Sequence, residues 1–480
     1  MSCVVVIDVG TRACRVYAVA DGIVSAETKV EMPTRVPPDL PTAREWDPQT
    51  FWNALTLCTA RIAAQAQAEA IVCTAQRLAY VFCDERFGAL YAGPNSDARG
   101  FLDGVALARS DGDELARITG RHPPIVGVPA RWAWFRENAP DVVSRTRWIM
   151  PLSDWIGARL TGVPAAEPSN GADTGLVDVE TRGWSQTICK IANLDIDLLP
   201  PMRAPGNILG EVNATAATET GFAAGTPVVI GGADTACGLA GMGVGEPGQA
   251  AIVAGSTAPV EVVTSEPICD PGRRLWVTCL LDDDRWALDV STGECGIAQR
   301  WLKEMLTIGS SEEFDAIGAQ TDDSSGVMWH LTAPIDFSDI ALGEFGQIRF
   351  ARPLQQLGPN RAMLVRAFFE NLAFSVRRAL EWTDPVVVHS SLDLGGGFAD
   401  SAVYPQVLAD ALGEPVNVHD IHVTARGAAG TALGALGAEP RAPEPTVMEP
   451  RRDLSDAYAA WATELDRLEG LSARFSALLD

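Results

Sequence analysis

Three short runs of glycine and hydroxyl residues each follow an apolar stretch: Asp8-Val9-Gly10-Thr11, Gly255-Ser256-Thr257 and Gly395-Gly396-Gly397. Glycine lets a backbone come close to a ligand, and successive N–H groups in such a turn form a concavity that takes an anion. Asp8 heads the first run. An aspartate there either caps a turn or offers a hard oxygen to Mg²⁺ beside nucleotide phosphates. Arg15, three residues after Arg12, adds a guanidinium suited to phosphate. A second acid, Asp234, lies in "GTPVVIGGADTACGLAGMG", after four apolar residues and a glycine pair and before a run of small residues. Pattern alone makes it the cap of a helix beginning near Thr235, close to a boundary between two halves where ligands favour a cleft.

The elements that must carry these residues read as follows. "CVVVIDVG" and "CRVYAVADG" form an N-terminal β-hairpin. "DPQTFWNALTLCTARIAAQAQA" is an amphipathic helix with Asp47 as N-cap and Pro48 at its first position. "GQAAIVAGSTAPVEVV", "RLWVTCL" and "RWALDVSTG" repeat the grammar of the N-terminus, strand, small hydroxyl turn, strand. Strand and helix alternate elsewhere, which predicts α/β architecture. The boundary falls near residues 243–250, giving an N-terminal domain 1–245, a C-terminal domain 246–440, and a Pro/Glu-rich linker with a final amphipathic helix at 441–480.

A formal charge of −25 over 480 residues argues against nucleic acid, which needs a basic face. Ten cysteines without a C-x-x-C pair read as buried thiols. His419 and His422 lack a third ligand for zinc nearby. The start "MSCVVVIDVG" has no signal-peptide pattern and no apolar run is long enough to span a membrane, so a cytoplasmic protein is expected. No G-x-x-x-x-G-K-[ST] is present. "GVGEPG" fits G-x-G-x-x-G, but Pro247 interrupts it and a strand follows, so the dinucleotide reading fails.

Taken in order, these pieces resemble the FGGY family of carbohydrate kinases over roughly residues 4 to 436. "IDVGTRACR" resembles the family's first phosphate loop; "TGRHPPIVGVPARWAWFRENAP" and "SDWIGARLTG" resemble its helical insert; "GTPVVIGGADTACG" resembles the segment with the catalytic aspartate. "GGGFADSAVYPQVLADALGEPV" is the most specific match, with Gly396, Ser401, Gln406, Asp410 and Pro415 in step. The resemblance implies two ribonuclease-H-like, actin-like domains with a deep cleft between them, and ATP-dependent phosphorylation of a small sugar. It makes Asp234 the general base and Asp8 the holder of Mg²⁺. It assigns ATP to Gly10, Thr11, Arg15, Gly255, Ser256, Thr257, Gly396 and Gly397. Small residues around Asp234 would leave room for the sugar.

Substrate identity in the family lies largely in the segments here reading "TAQRLAYVF" and "GPNSDARG", which points to Gln76, Arg77 and Asp97, beside Asp234 itself, as substrate contacts. Leu78 stands where xylulose kinases carry histidine and glycerol kinases an acid. Asn95 replaces a common tryptophan, and "GST" replaces the usual "GTS" while keeping a hydroxyl. Arg12 replaces a small hydroxyl residue. The expected acceptor is a ketopentose or related ketose; glycerol, another polyol or the bacterial autoinducer dione is the alternative. A non-catalytic sugar or nucleotide sensor is the competing class. Oligomeric state is left open, a homodimer being the form considered.

Overall fold

The computed structural model describes residues 3–335, 346–350, 359–438 and 442–476. In the N-terminal half, strands β1 (Cys3–Val9), β2 (Ala13–Ala20), β3 (Ile23–Glu31), β4 (Ala70–Ala75), β5 (Ile208–Glu211) and β6 (Pro227–Ala233) form one sheet in the order β5-β6-β4-β1-β2-β3. Strands β1, β4 and β6 run parallel, with Val9 beside Ala75 and Ala75 beside Ala233. The loops after these three strands therefore open at one edge, where ligands bind in open α/β sheets. The hairpin β1–β2 is as expected, and so is the helix Pro48–Ala63, whose N-cap Asp47 accepts the Thr50 N–H.

The C-terminal half repeats the plan. Strands β7 (Gln249–Ala254), β8 (Val260–Thr264), β9 (Trp276–Cys279), β10 (Trp286–Val290), β11 (Ser391–Gly396), β12 (Val416–Val418) and β13 (Thr446–Met448) lie in the order β9-β10-β8-β7-β11-β12-β13. Here Ala254 at the end of β7 sits beside Gly396 at the end of β11, so the second and third glycine loops share an edge. Strand β13 comes from the stretch read as a linker; residues 439–441 of that stretch lie outside the described residues.

Two helices bind the halves together. Helix α1 (Asp234–Met242) follows β6, yet it lays Ala236, Leu239 and Met242 against Ala251, Val263 and Ala287 of the other sheet. Helix α2 (Val423–Ala435) does the converse, packing Ala425, Ala428 and Ala432 on Val4, Val6, Ala70 and Val72. Where α1 and α2 cross, a Cβ at Gly241 would lie 1.9 Å from the Val423 carbonyl oxygen, and one at Gly427 1.7 Å from that of Cys237. Gly241, one of the small residues after Asp234 expected to make room for a sugar, instead lets two backbones touch. Elsewhere the insert of the N-terminal half meets β9 and β10: Trp276 Nε1 donates to the His122 carbonyl at 2.7 Å and Trp286 Nε1 to that of Val179 at 2.8 Å. All ten cysteines are free, and all but Cys3 and Cys269 are buried, as expected. Among the described residues no helix is long and apolar enough to cross a membrane.

Candidate active site

Asp8, Gln76, Arg77 and Asp234 come together at the shared edge of β1, β4 and β6: Asp8 at the end of β1, Gln76 and Arg77 just after β4, and Asp234 at the head of the helix after β6. Asp8 is the penultimate residue of β1, cross-strand from Arg15. Burial pushes its carboxyl up to about 6, against the pull of Arg15. The first glycine turn closes with Gly10 N–H to the Ala13 carbonyl at 3.0 Å, leaving Thr11 partly open. Arg15 pairs loosely with Glu27 at 3.7 Å. Burial and the like charges of Arg300 and Arg15 push the Arg12 guanidinium below its ordinary value, so this lip of the cleft is an accumulation of positive charge that suits an anion.

Asp234 is the first residue of α1 rather than its cap. Ala233 occupies the cap position without a side-chain bond, and the Asp234 carboxylate takes the Thr235 N–H at 2.9 Å. A helix N-terminus favours negative charge, but here burial dominates. It lifts the carboxyl to about 7; Arg77 opposes the rise, and Asp8 and Asp173 add to it. A carboxyl poised near neutrality suits a general base. Its backbone is fixed from behind. The Ala233 N–H donates to Ser169 Oγ at 2.9 Å, and Ser169 donates to Glu167 at 2.5 Å. Glu167 also accepts the Asn170 N–H at 3.0 Å, and burial raises it to about 7.

Gln76 is 5% exposed; its Nε2 reaches the Gly10 carbonyl at 3.5 Å, and its Oε1 is a buried acceptor with no partner. Arg77 is tied to two acids of the other half through one nitrogen. Its Nη1 donates to Asp289 of β10 and lies 3.4 Å from Glu261 Oε1 of β8. Asp97 is elsewhere. It is fully buried and takes the Arg44 N–H at 2.9 Å, the Tyr91 hydroxyl and Arg99 Nε at 2.7 Å, so the structure does not bring it to the cleft with a free oxygen.

The C-terminal loops are open. Gly255 and Thr257 are exposed and Ser256 is partly so, with Gly255 N–H bonded to the Thr257 carbonyl at 2.8 Å. The N-terminus of the helix Cys295–Met305 abuts them, through Gly296 N–H to the Ser256 carbonyl at 3.0 Å. Gly396 has φ +87 and its Cβ would meet the Ala254 carbonyl at 2.7 Å, so glycine is required where β7 and β11 end together. Gly397 is exposed beside it.

Sequence reasoning missed Ser169, Glu167, Asp173, Arg121, Glu261 and Asp289. Two carried a signal: Glu261 in "VEVVT" and Asp289 in "WALDV" are lone acids inside otherwise apolar strands, the feature that drew attention to Asp8.

No group of three or more His, Cys, Asp or Glu among the described residues could hold a metal alone. Mg²⁺ does not need one, since it takes one or two carboxylates with phosphate oxygens and water. Asp8 fits that role: it is a half-buried carboxylate with an upward-shifted pKa beside an anion-suited turn.

The model of the FGGY family of carbohydrate kinases, N-terminal domain, matches residues 3–241. The chain is 30% identical over 432 residues to autoinducer-2 kinase of Yersinia enterocolitica serotype O:8, covering 83% of this chain and 80% of that one. Among solved structures it resembles xylulose kinase from Rhodospirillum rubrum (TM-score 0.81, 22% identity, 99% and 100% of the two chains). It also resembles Plasmodium falciparum glycerol kinase with ADP (TM-score 0.84, 18% identity, 98% of each chain). These likenesses establish the fold as two actin-like, ribonuclease-H-like domains.

Proposed function

This chain belongs to the FGGY family of carbohydrate kinases, and on that premise we propose that it transfers the γ-phosphoryl group of ATP to a hydroxyl of a short, linear hydroxy-carbonyl compound, with Asp234 as general base. The observation that carries the reading is Asp234 itself, half-buried at the head of α1 with its carboxyl pushed up to about 7 and Asp8 within its field. Phosphoryl transfer has a loose transition state, so the protein chiefly positions groups and stabilises charge. Asp234 takes the proton of the attacking hydroxyl. Thr11, Ser256 and Thr257 and the guanidinium of Arg15 face the phosphates, on turns that the Gly10 and Gly255 N–H groups close internally, and Gly396–Gly397 make room for the adenosine. Asp8 would hold Mg²⁺, which supplies neutralisation of phosphate charge when bound. Gln76 Oε1, a buried acceptor with no partner, takes an acceptor hydroxyl. Asp97 is left out of this set because protein donors occupy its oxygens. We place the domain limits at 1–245 and 246–440, with α1 and α2 as the hinge.

Among acceptors, relatives at 30% identity over most of their length are autoinducer-2 kinases, which favours autoinducer-2 over a ketopentose and both over glycerol. ADP release measured on a panel of autoinducer-2, ketopentoses and glycerol tests this. A rate with autoinducer-2 well above the others is expected. No acceptor raising turnover above background ATP hydrolysis would sink the kinase reading for this chain and leave a sensor.

A further inference from the structure

Two buried acids of the C-terminal sheet have no task in that reading. Glu261 and Asp289 are directly opposite each other in the antiparallel register of β8 and β10. Their carboxylates thus stand on one face, where like charges repel. They are 1% and 3% exposed. The cation that compensates them comes from the other half of the molecule, as Arg77.

Reaching across takes an unusual backbone. Leu78, the next residue, has φ +60, a region a branched side chain rarely adopts. Its carbonyl accepts from the fully buried Arg131 at 3.1 Å, which holds the loop in that form. The cluster is also incomplete. Glu261 Oε2, Asp173 Oδ2, and Arg121 Nε and Nη1 are buried without partners. Buried polar groups ordinarily find partners, and these four atoms are polar capacity that the protein itself leaves unfilled beside Arg77.

We propose that Glu261 and Asp289 are positioning residues for phosphoryl transfer: they draw the Arg77 guanidinium across the cleft and hold it between the acceptor end and the head of α1. The proposal rests on the reading of Asp234 and Gln76 as that acceptor end. A guanidinium has five N–H donors in a planar fork. Those not spent on the two carboxylates are aimed by them, so an acceptor oxygen meets a fixed donor only when the halves are together. With the halves apart, the two acids face each other unpaired and Arg77 returns to water.

Steady-state kinetics of Asp289→Asn, Glu261→Gln, Arg77→Met and the double variant Asp289→Asn/Arg77→Met, on the best acceptor of the panel, test the proposal. The two amide variants keep shape and volume, so they report on charge without opening the core. Asp289→Asn is expected to raise the acceptor KM about tenfold while the ATP KM stays within about twofold, the scale of one lost charge-assisted contact. Glu261, the longer contact, has the smaller effect. The double variant is expected to be no worse than Arg77→Met alone, because both act through one group. Arg77→Lys is expected to recover part of the loss, keeping the charge without the fork. Effects that multiply in the double variant, or acceptor and ATP KM rising together, would overturn the proposal and make the cluster an ordinary ion pair. Asp234→Asn run alongside separates the two readings: turnover surviving there refutes the base, whereas a wild-type acceptor KM in Asp289→Asn refutes only the positioning role.

Discussion

Two buried charge clusters flank the loop after β4, and their carboxylates end in opposite states. Around Asp97, every reach of the carboxylate meets a donor, and its partner Arg99 pairs with Glu45 at 2.7 Å and stacks on the rings of Tyr91, Trp134 and Phe135. Around Asp234, buried atoms of Glu261, Asp173 and Arg121 lack partners, and burial pushes Asp8, Asp234 and Glu261 up to about 6, 7 and 8. Arg131 touches both, donating to the carbonyls of Leu78 and Pro94, while its Nε, 4.0 Å from Asp97, is left without a hydrogen bond. A satisfied buried acid is architecture; a buried acid with an empty oxygen and a raised pKa is held ready for a ligand or a proton.

The sharpest way to break this contrast is to remove one acid from each cluster. Asp234→Asn is expected to lower turnover by about 10²–10⁴-fold, the range of a lost general base, with ATP affinity by calorimetry nearly unchanged and no loss of thermal midpoint. Near-normal turnover would remove Asp234 from the chemistry. Asp97→Ala should do the reverse. Removing one partner of a buried ion cluster leaves the others uncompensated, at a cost of about 3–5 kcal/mol. Denaturant unfolding should show that loss, while the surviving folded protein keeps its acceptor KM. An acceptor KM that rises tenfold with stability intact would return Asp97 to the substrate.

That contrast also marks what the sequence could reveal. Asp8 and Asp234 were legible because each is a lone acid at the end of an apolar strand, next to glycine, and the order of such pieces along the chain carried the family. The double-sheet architecture followed from the repeated strand–turn–strand grammar. Asp97 looked the same as a ligand in one dimension, since nothing in "GPNSDARG" says that Tyr91, Arg99 and the Arg44 N–H converge on it. The small residues after Asp234 misled for a related reason. A glycine that accommodates a ligand and one that accommodates a crossing helix have the same sequence, and only the 1.7–1.9 Å clashes at Gly427 and Gly241 distinguish them. Arg77 was legible as a residue of the cleft but not as a bridge, because its partners lie about two hundred residues away.

The pH dependence sharpens the contrast without any mutation. Asp8, Asp234, Glu167 and Glu261 all have folded pKa values above the ordinary carboxylate range, at about 6, 7, 7 and 8, with burial as the first cause. The folded state therefore binds more protons than the unfolded one, and the stability these groups contribute is lost as pH rises through 6 to 8. Turnover runs the other way, rising through about 7 as Asp234 loses its proton. Thermal midpoints between pH 5.5 and 8.5 should fall while turnover climbs, and Asp234→Asn should flatten part of that fall. A midpoint that rises across the window would mean that the cleft acids are ionised and compensated.

A third charged group gives the smallest effect and a separate window. His389 sits between Asp384 and Glu414, at 3.0 and 2.7 Å, far in character from either cluster because both acids are partly exposed. Its hydrogen bond to Glu414 is the main cause lifting it to about 9, above the ordinary 6.5. A histidine raised in the folded state stabilises fully below its unfolded pKa, and that contribution disappears as pH rises through the folded one. Solvent screening at the two exposed carboxylates keeps it below about 1 kcal/mol. His389→Gln should therefore lower the thermal midpoint slightly at pH 6, converge with wild type near pH 10, and leave the acceptor KM untouched. The decline that the cleft acids produce between pH 5.5 and 7 should persist in this variant. If His389→Gln abolished that decline as well, the pH response would belong to the surface pair, and the raised acids of the cleft would have no part in it.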